Sequence, residues 1–200
     1  MENTKRQNLF ALTETAILLA LAIVLSYVKI YDSPYGGSIT LLSMLPICIV
    51  SIKNGIGWGA AAGFLNASYQ FFLQDGLKNA GFFPRFSGNF FICVLLDYFV
   101  PFTIIGLAGL FRKKGYFGWL TGIALVTLAR FACHIVSGYV LWGQYAWEID
   151  GVQMPALIYS LVYNAIYMLP EICLTIAGGA ILFKAPVINK LIAPKTATVS

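Results

Sequence analysis

Six long apolar runs dominate this sequence and leave little room for any fold other than a bundle of membrane-spanning helices. Each run approaches the length of about 20 residues, poor in charge, that lets a helix cross the hydrocarbon core of a bilayer. The runs lie at about residues 9–29, 38–53, 55–73, 88–111, 117–143 and 156–183. Only 10% of the 200 residues are charged, against roughly 25% in soluble domains. The sequence therefore predicts an all-α integral membrane protein with six transmembrane helices in a single transmembrane domain over residues 1–200.

Two features of these runs leave room for another interpretation. The second run is short, and only Lys53-Asn54-Gly55 separates it from the third. A cleaved signal peptide is the alternative for the first run, because Lys5-Arg6 precedes an apolar stretch over 16–28. Glu14 and the absence of a small-residue cleavage site favour a membrane span instead.

The loop charges predict the orientation, because cytoplasmic loops of membrane proteins are enriched in Lys and Arg. With the N-terminus inside, the cytoplasmic side holds a single acid, Glu2, and the basic residues Lys5, Arg6, Lys53, Arg112, Lys113, Lys114, Lys184, Lys190 and Lys195. The outer side holds Lys29, Lys78 and Arg85 against Asp32, Asp75, Glu148 and Asp150. Both termini are therefore predicted to be cytoplasmic. The net charge of +5 reflects this topology and anionic lipid headgroups, and it does not indicate nucleic-acid binding.

Three polar side chains from three predicted helices fall at one depth. Counted from the outer ends of their helices, Asp97 and His134 are nine residues deep and Asn164 is eight. At 1.5 Å per residue, all three lie about 12–14 Å below the outer surface. Ionisable groups inside a membrane are costly and indicate a functional site.

Helical spacing supports a pocket at this level that opens to the outside. His134, Gly138 and Trp142 share one face of the fifth helix. On the sixth helix the corresponding face carries Ser160, Asn164, Tyr167 and Glu171. Two alternatives involve no ligand: His134 as an interhelical hydrogen bonder, and Tyr159 as part of the aromatic belt at the membrane interface.

Arg130 and Glu171 lie deeper, thirteen and fifteen residues below the outer face. We expect them to form a structural ion pair between the fifth and sixth helices. Asp97 would then lack a cationic protein partner at its own level, so a ligand would supply the positive charge.

Small residues and cysteines have structural interpretations. Gly55, Gly59, Gly63 and Ala67 recur every four residues, which predicts close helix packing rather than a nucleotide site. Ala16 and Ala20 form a second flat patch on the first helix, suited to internal packing or to a partner.

The four cysteines are scattered singly, so neither a disulfide framework nor a metal site is predicted. Without a P-loop or a catalytic constellation, we expect no enzyme activity and no cofactor.

Four segments resemble the thiamine-specific substrate-binding subunits of energy-coupling factor transporters, the YuaJ or ThiT family. They are PYGGSITLLSMLPI (34–47), LLDYFVPFTIIGLAGLF (95–111), ARFACHIVSGYVLWGQYA (129–146) and YSLVYNAIYMLPE (159–171). The resemblance implies a compact six-helix subunit that captures thiamine from outside in the cell membrane of a bacterium. It also implies a transmembrane coupling protein and two cytoplasmic ATPases that use ATP, with the coupling protein docked on Ala16 and Ala20.

The resemblance also implies the ligand-binding residues. The family's acidic residue and tyrosine on helix 4 correspond to Asp97 and Tyr98, and its helix 5 histidine and tryptophan correspond to His134 and Trp142. The helix 6 tyrosine and asparagine correspond to Tyr159 and Asn164. The best-known form has glutamate in place of Asp97. It also has tryptophans where this chain offers tyrosines such as Tyr35 and Tyr69, so these contacts are not assignable one to one.

Three alternatives to thiamine capture stay open. The ligand of the same transporter class could be a thiamine precursor such as hydroxymethylpyrimidine, or another vitamin. The chain could instead be a membrane scaffold whose polar residues only bond helices together. An ion-coupled solo carrier is less well supported, because the sequence shows no internal repeat. We also expect residues 30–37, with Pro34 and Gly36-Gly37, to close over the ligand as a lid.

Overall fold

The computed structural model describes residues 2–33, 36–74, 76, 81 and 87–192. The chain is a helical bundle with two short hairpins at its loops. Its helices are α1 (Glu2–Ser26), α2 (Leu45–Asn54), α3 (Ile56–Tyr69), α4 (88–105), α5 (Gly115–Ser137), α6 (Ala156–Lys184) and α7 (Pro186–Ile192). The prediction of an all-α membrane protein is confirmed.

Three stretches combine the length and apolar character needed to cross a membrane. They are Thr4–Ser26 in α1, Gly88–Tyr145 over α4 and α5, and Ala156–Lys184 in α6. The middle stretch is 58 residues long, so it is far longer than one span of about 20 residues. A 3₁₀ segment, Ala108–Lys114, and Gly115 with φ +66° separate its two arms.

Six helical segments overlap the six predicted runs, and the fourth ends at Ile105 rather than at 111. The first ends at Ser26 rather than near residue 29. The second begins at Leu45 rather than at 38, because Ser38–Thr40 is a strand, β2, paired with β1 (Lys29–Asp32). A short apolar stretch is compatible with either strand or helix, and here pairing across the Gly36-Gly37 turn selects the strand. A second hairpin joins α5 to α6, with β3 (Glu148–Ile149) and β4 (Val152–Gln153).

The half of the bundle that is predicted to be cytoplasmic, called the inner half below, is closely packed through glycines. A Cβ on Gly59 would lie 2.2 Å from the carbonyl oxygen of Gly106, and one on Gly63 would lie 2.4 Å from that of Phe102. The backbones of α3 and α4 therefore touch, as the small-residue stripe predicts. On the next interface, Gly122 of α5 meets the carbonyl of Ala108 in the same way.

α2 lies at the centre of this half. It packs against α1 and α3 on one side and against the 3₁₀ segment on the other. Its buried residues are Leu45, Pro46, Ile47, Cys48, Val50, Ser51 and Ile52. The Ser51 hydroxyl donates to the Gly106 carbonyl and accepts from the Gly109 amide, which joins α2 to the end of α4.

Candidate functional site

A cavity of about 240 Å³ occupies the half of the bundle that is predicted to face outward, called the outer half below. Its wall is formed by α4, α5 and α6 together with the first hairpin and the outer end of α3. The charged residues of the described chain that line it are Lys29, Asp32, Asp97, Arg130 and Glu171. Aromatic residues, glycines and uncharged polar residues such as Gln70, Gln74 and Ser160 make up most of the remaining wall, which suits a flat ligand of mixed polarity.

Asp97, His134 and Asn164 meet at one level of this cavity. The Nδ1 atom of His134 lies 3.4 Å from an Asp97 carboxylate oxygen. The Asn164 amide donates to the His134 backbone carbonyl at 3.2 Å and to the Ser160 carbonyl at 2.8 Å. The shared depth predicted from the three helix ends is thus a direct contact between α4, α5 and α6.

Asn164 also receives a hydrogen bond from the Tyr167 hydroxyl at its side-chain oxygen. The amide is therefore satisfied on both sides and is 5% exposed. It fixes the distance between α5 and α6 beside the cavity. Gly138 lies at this junction, where an added Cβ would come within 2.2 Å of the Ser160 hydroxyl.

The predicted ion pair between Arg130 and Glu171 is wrong for the described structure, although both residues line the cavity floor. Arg130 Nε donates to His134 Nε2 at 3.2 Å and Nη1 lies 2.9 Å from the Met44 sulfur. Its guanidinium carbon also lies 4.5 Å from the centre of the Phe102 ring. The contacts of Arg130 are thus an imidazole, a thioether and an aromatic face.

Glu171 binds the first hairpin instead. Its two carboxylate oxygens accept hydrogen bonds from the Thr40 amide at 2.7 Å and from the Thr40 hydroxyl at 2.6 Å. The two donors come from the last residue of β2. A carboxylate that accepts a backbone N–H and a hydroxyl forms charge-assisted bonds, which are stronger than neutral ones.

Two further residues of α6 hold the same hairpin. The Tyr163 hydroxyl donates to the Gly36 carbonyl at 2.9 Å. The ring of Tyr167 lies directly beneath Gly37, where a Cβ would come within 2.5 Å of it. Residues 163, 167 and 171 are four apart, so a single helix face contacts the hairpin at three successive turns.

Three π-helical turns border the cavity, one at each of three helices. They are Gln70–Gln74 after α3, Val94–Phe99 within α4, and Gly138–Trp142 after α5. Each contributes two residues to the cavity wall, and these are Gln70, Gln74, Asp97, Tyr98, Gly138 and Trp142. A π-turn holds one extra residue and widens the helix locally, and such turns are common at functional sites.

An aromatic row leads from the outer surface to the cavity floor. Trp147, just before the second hairpin, contacts the ring of Tyr159 at 5.3 Å between centroids. The row continues through Tyr163 and Tyr167, with spacings of 5.8 and 6.2 Å. It ends at the His134 imidazole, 6.3 Å from Tyr167. Tyr159 and Tyr167 are buried, Tyr163 is partly buried, and all three line the cavity, so they are more than an interfacial belt.

The structure brings six of the predicted ligand residues to the cavity and leaves one aside. The six are Asp97, Tyr98, His134, Trp142, Tyr159 and Asn164. Tyr69 is outside the described lining, and its hydroxyl is 2.6 Å from that of Tyr27. Tyr69 thus lies toward α1, although the next residue in the chain, Gln70, lines the cavity. The prediction for Tyr35 falls outside the described residues.

Several lining residues were missed by the sequence analysis. They include Gln70, Gln74, Thr40, Ser43 and Phe102. Gln70 and Gln74 are four apart in an otherwise apolar segment, a signal of the same kind as that used for α6. Thr40 gave no such signal, because its role depends on the hairpin.

Comparisons with known proteins agree with this architecture. A family model described as thiamine transporter protein (Thia_YuaJ) matches residues 12–190. The thiamine transporter ThiT of Bacillus subtilis is 31% identical over 183 residues, covering 82% of this chain and 85% of that protein. ThiT of Lacticaseibacillus paracasei is 28% identical, with 91% of both chains covered.

A solved structure gives the fold independently. ThiT from Listeria monocytogenes superposes with a TM-score of 0.70 and covers 92% of this chain and 98% of its own, at 24% identity. The family match spans nearly all of the helical bundle, including every helix that lines the cavity. The chain belongs to the Thia_YuaJ family of thiamine transporter proteins.

Proposed function

We propose that this protein is the thiamine-binding subunit of an ATP-driven importer of the energy-coupling factor class, in the plasma membrane of a bacterium. The observation that carries the proposal is the Asp97 carboxylate, held in an aromatic-lined cavity on the scaffold of a family of thiamine transporters. Relatives in this family are named as transporters, so the role is transport and not catalysis.

The chemistry of the cavity supports thiamine as the ligand. Thiamine has a permanently cationic thiazolium ring, which favours a carboxylate and an aromatic face. Asp97 and Trp142 line the cavity and would supply both. Its aminopyrimidine ring favours stacking and hydrogen bonds, for which Tyr98, His134, Tyr159 and Asn164 are available.

The first hairpin supports capture from the outer side. It covers the cavity wall through Gly36, Gly37 and Thr40, which contact three successive turns of α6. In this proposal the hairpin is the lid, and its release from α6 opens the cavity. The polar contacts of Tyr163 and Glu171 therefore set how long the ligand is retained.

The proposal includes a coupling protein and two cytoplasmic ATPases as partners. Ala16 and Ala20 are both exposed, one turn apart on α1. Two small side chains four residues apart leave a flat strip on which another helix can pack closely. We propose this strip as the docking surface for the coupling protein.

Thiamine titration of the detergent-purified subunit alone tests the ligand. Because Trp142 lines the cavity, bound thiazolium is expected to quench tryptophan fluorescence saturably at submicromolar thiamine. The pyrimidine and thiazole halves are titrated separately as controls. A response to the pyrimidine half without one to thiamine would identify a precursor transporter, and silence toward all three would overturn the proposal.

Reconstitution tests the partners. Liposomes that contain this subunit, the coupling protein and both ATPases are expected to accumulate thiamine only with internal ATP. A matched pair of variants, Ala16→Leu and Ile17→Leu, separates docking from general disturbance of α1, since both positions are exposed. Only Ala16→Leu should impair assembly. Thiamine uptake by this chain alone, driven by an ion gradient, would contradict the proposal.

A further inference from the structure

We infer that Arg130 is a positioning residue that fixes the His134 imidazole in one tautomer and thereby keeps the charge of Asp97 available to the ligand. The inference rests on the proposed function, because it explains how that site would hold a cation. It assigns Arg130 a role that replaces the ion pair predicted for it.

The hydrogen bond from Arg130 defines which nitrogen of His134 carries the proton. A guanidinium has only N–H donors and does not lose its charge in proteins. Arg130 Nε lies 3.2 Å from His134 Nε2 and donates to it. The Nε2 atom must therefore present a lone pair, and the neutral imidazole carries its single proton on Nδ1.

That proton faces Asp97. His134 Nδ1 lies 3.4 Å from the nearest Asp97 carboxylate oxygen. A neutral N–H donor orients a carboxylate without cancelling its charge. An imidazolium at the same place would form an ion pair with Asp97 and compete with a cationic ligand for it. The tautomer thus decides whether the carboxylate is free to bind the ligand.

The surroundings of Arg130 explain why its side chain stays on His134. The two residues are one turn apart on α5, so their side chains lie on one face. Among the described residues, Arg130 has no carboxylate within ion-pair distance. The Phe102 ring and the Met44 sulfur hold the guanidinium from the other sides, by a cation–π contact and a sulfur contact. The Nε2 atom of His134 is thus the acceptor that orients the Arg130 side chain.

Neighbouring elements hold the imidazole in this position. Asn164 of α6 donates to the His134 carbonyl, and the Tyr167 ring packs against the imidazole at 6.3 Å. Glu171, the other acid on the floor, binds Thr40 instead. The side-chain contacts from Arg130 to His134 and from His134 to Asp97 therefore connect the floor of the cavity with its charged wall.

A spectroscopic test is direct because the chain contains one histidine. Protein labelled with ¹⁵N-histidine, purified with a tag free of histidine and placed in nanodiscs without thiamine, gives a signal from His134 alone. The expected spectrum has a protonated Nδ1 and an unprotonated Nε2. In Arg130→Met this pattern is expected to give way to an imidazolium, protonated at both nitrogens, because Asp97 still faces Nδ1 and no cation then excludes a proton from Nε2.

Two other variants make the test specific. Arg130→Lys keeps a cationic donor in place, so it is expected to retain the wild-type pattern. Arg112→Met makes the same change at an arginine that bonds the Lys53 carbonyl, outside the cavity lining, and is expected to leave the spectrum unchanged. Thiamine affinity should fall about tenfold in Arg130→Met, the lower end of the loss seen when a hydrogen-bond partner of a metal-ligating histidine is removed.

Failure of this inference is distinguishable from failure of the proposed function. A wild-type spectrum with a protonated Nε2 would overturn the inference, and so would an unchanged pattern in Arg130→Met. If Arg130→Met does not fold, the wild-type and Arg130→Lys spectra still show which nitrogen of His134 is protonated. Absence of thiamine binding in the wild type would refute the proposed function, while the ligand-free spectrum still reports the tautomer.

Discussion

The inner and outer halves of the bundle use the same helices in opposite ways. In the inner half, α3 and α4 are regular and touch backbone to backbone at Gly59 and Gly106. In the outer half the helices around the cavity depart from regular geometry at π-turns, and polar side chains replace the glycine contacts. We therefore expect stability to depend mainly on the half where the helices touch, and binding on the half where they separate.

This difference has a physical cause. Helix association in a membrane depends on close van der Waals packing, which small residues allow. A cavity removes such packing, so the outer half must hold its helices by hydrogen bonds such as those of Asn164 and Glu171. Substitutions in the two halves should therefore affect different measurements.

The largest effect is expected from Gly59→Leu in the inner half. Its side chain would collide with the Gly106 backbone, so the helices must separate and the free energy of unfolding should fall by about 3 kcal/mol or more. Thermal unfolding in detergent measures this loss. Gly57→Leu is the matched control, since a Cβ there meets nothing within 4 Å. Equal melting temperatures for the two variants would show that close helix packing in the inner half does not determine the stability of the protein.

Asp97→Asn should lower thiamine affinity by about 2–4 kcal/mol, or about 30- to 1,000-fold, because the ligand's charge would lose its partner. Unlike Gly59→Leu, it should leave the melting temperature without ligand nearly unchanged. Titration of tryptophan fluorescence measures the affinity. Asp150→Asn makes the same chemical change on the second hairpin, where φ is +52° and asparagine is tolerated. An equal loss in both variants would indicate general charge attraction rather than a site.

Glu171→Gln should weaken the hold of α6 on the first hairpin by about 1–2 kcal/mol, since the bonds to Thr40 would lose their charge. If the hairpin retains the ligand, thiamine should dissociate about five- to thirtyfold faster, with little change in the association rate. Stopped-flow fluorescence separates the two rates. Thr40→Val removes the hydroxyl bonds to Glu171 and Ser43 but keeps the amide bond to Glu171, so it should have a smaller effect. A slower association without faster release would contradict a retaining role.

The smallest effect is expected from Trp142→Phe. Phenylalanine keeps an aromatic face but offers a weaker cation–π contact, so affinity should fall by about 0.5–1 kcal/mol, or two- to fivefold. The ligand-dependent quenching should be strongly reduced in this variant. Trp58→Phe, a change on α3 outside the cavity lining, should leave both affinity and quenching intact. Quenching that persists in Trp142→Phe would place the ligand elsewhere.

Much of the architecture could be predicted from the sequence because the bilayer restricts the choices. The lengths of the apolar runs located the helices, and counting inward from their ends placed Asp97, His134 and Asn164 at one level. In the structure, His134 Nδ1 lies 3.4 Å from an Asp97 carboxylate oxygen at this level. Residue counting worked there because a helix advances by a fixed rise per residue.

The missed features depend on contacts that no local pattern encodes. Arg130 and Glu171 sit at similar depths, which favoured an ion pair, but depth does not give the direction of a side chain around the helix. Glu171 bonds Thr40, and Thr40 reaches it only because β2 replaces the first part of the predicted second helix. The π-turns likewise follow no local pattern that the sequence analysis used.

The short second helix has a consequence for how the proposed lid could move within a bilayer. Ten residues of α2 measure about 15 Å, half of a hydrocarbon core of about 30 Å. Most of α2 is buried in the bundle, so neighbouring helices and not lipid surround this incomplete crossing. Backbone groups without helical partners are tolerated at membrane depth when protein or a water-filled space surrounds them. The hairpin above α2 can therefore exchange its hydrogen bonds with water in the cavity, and its motion need not bring an unpaired amide into contact with an acyl chain.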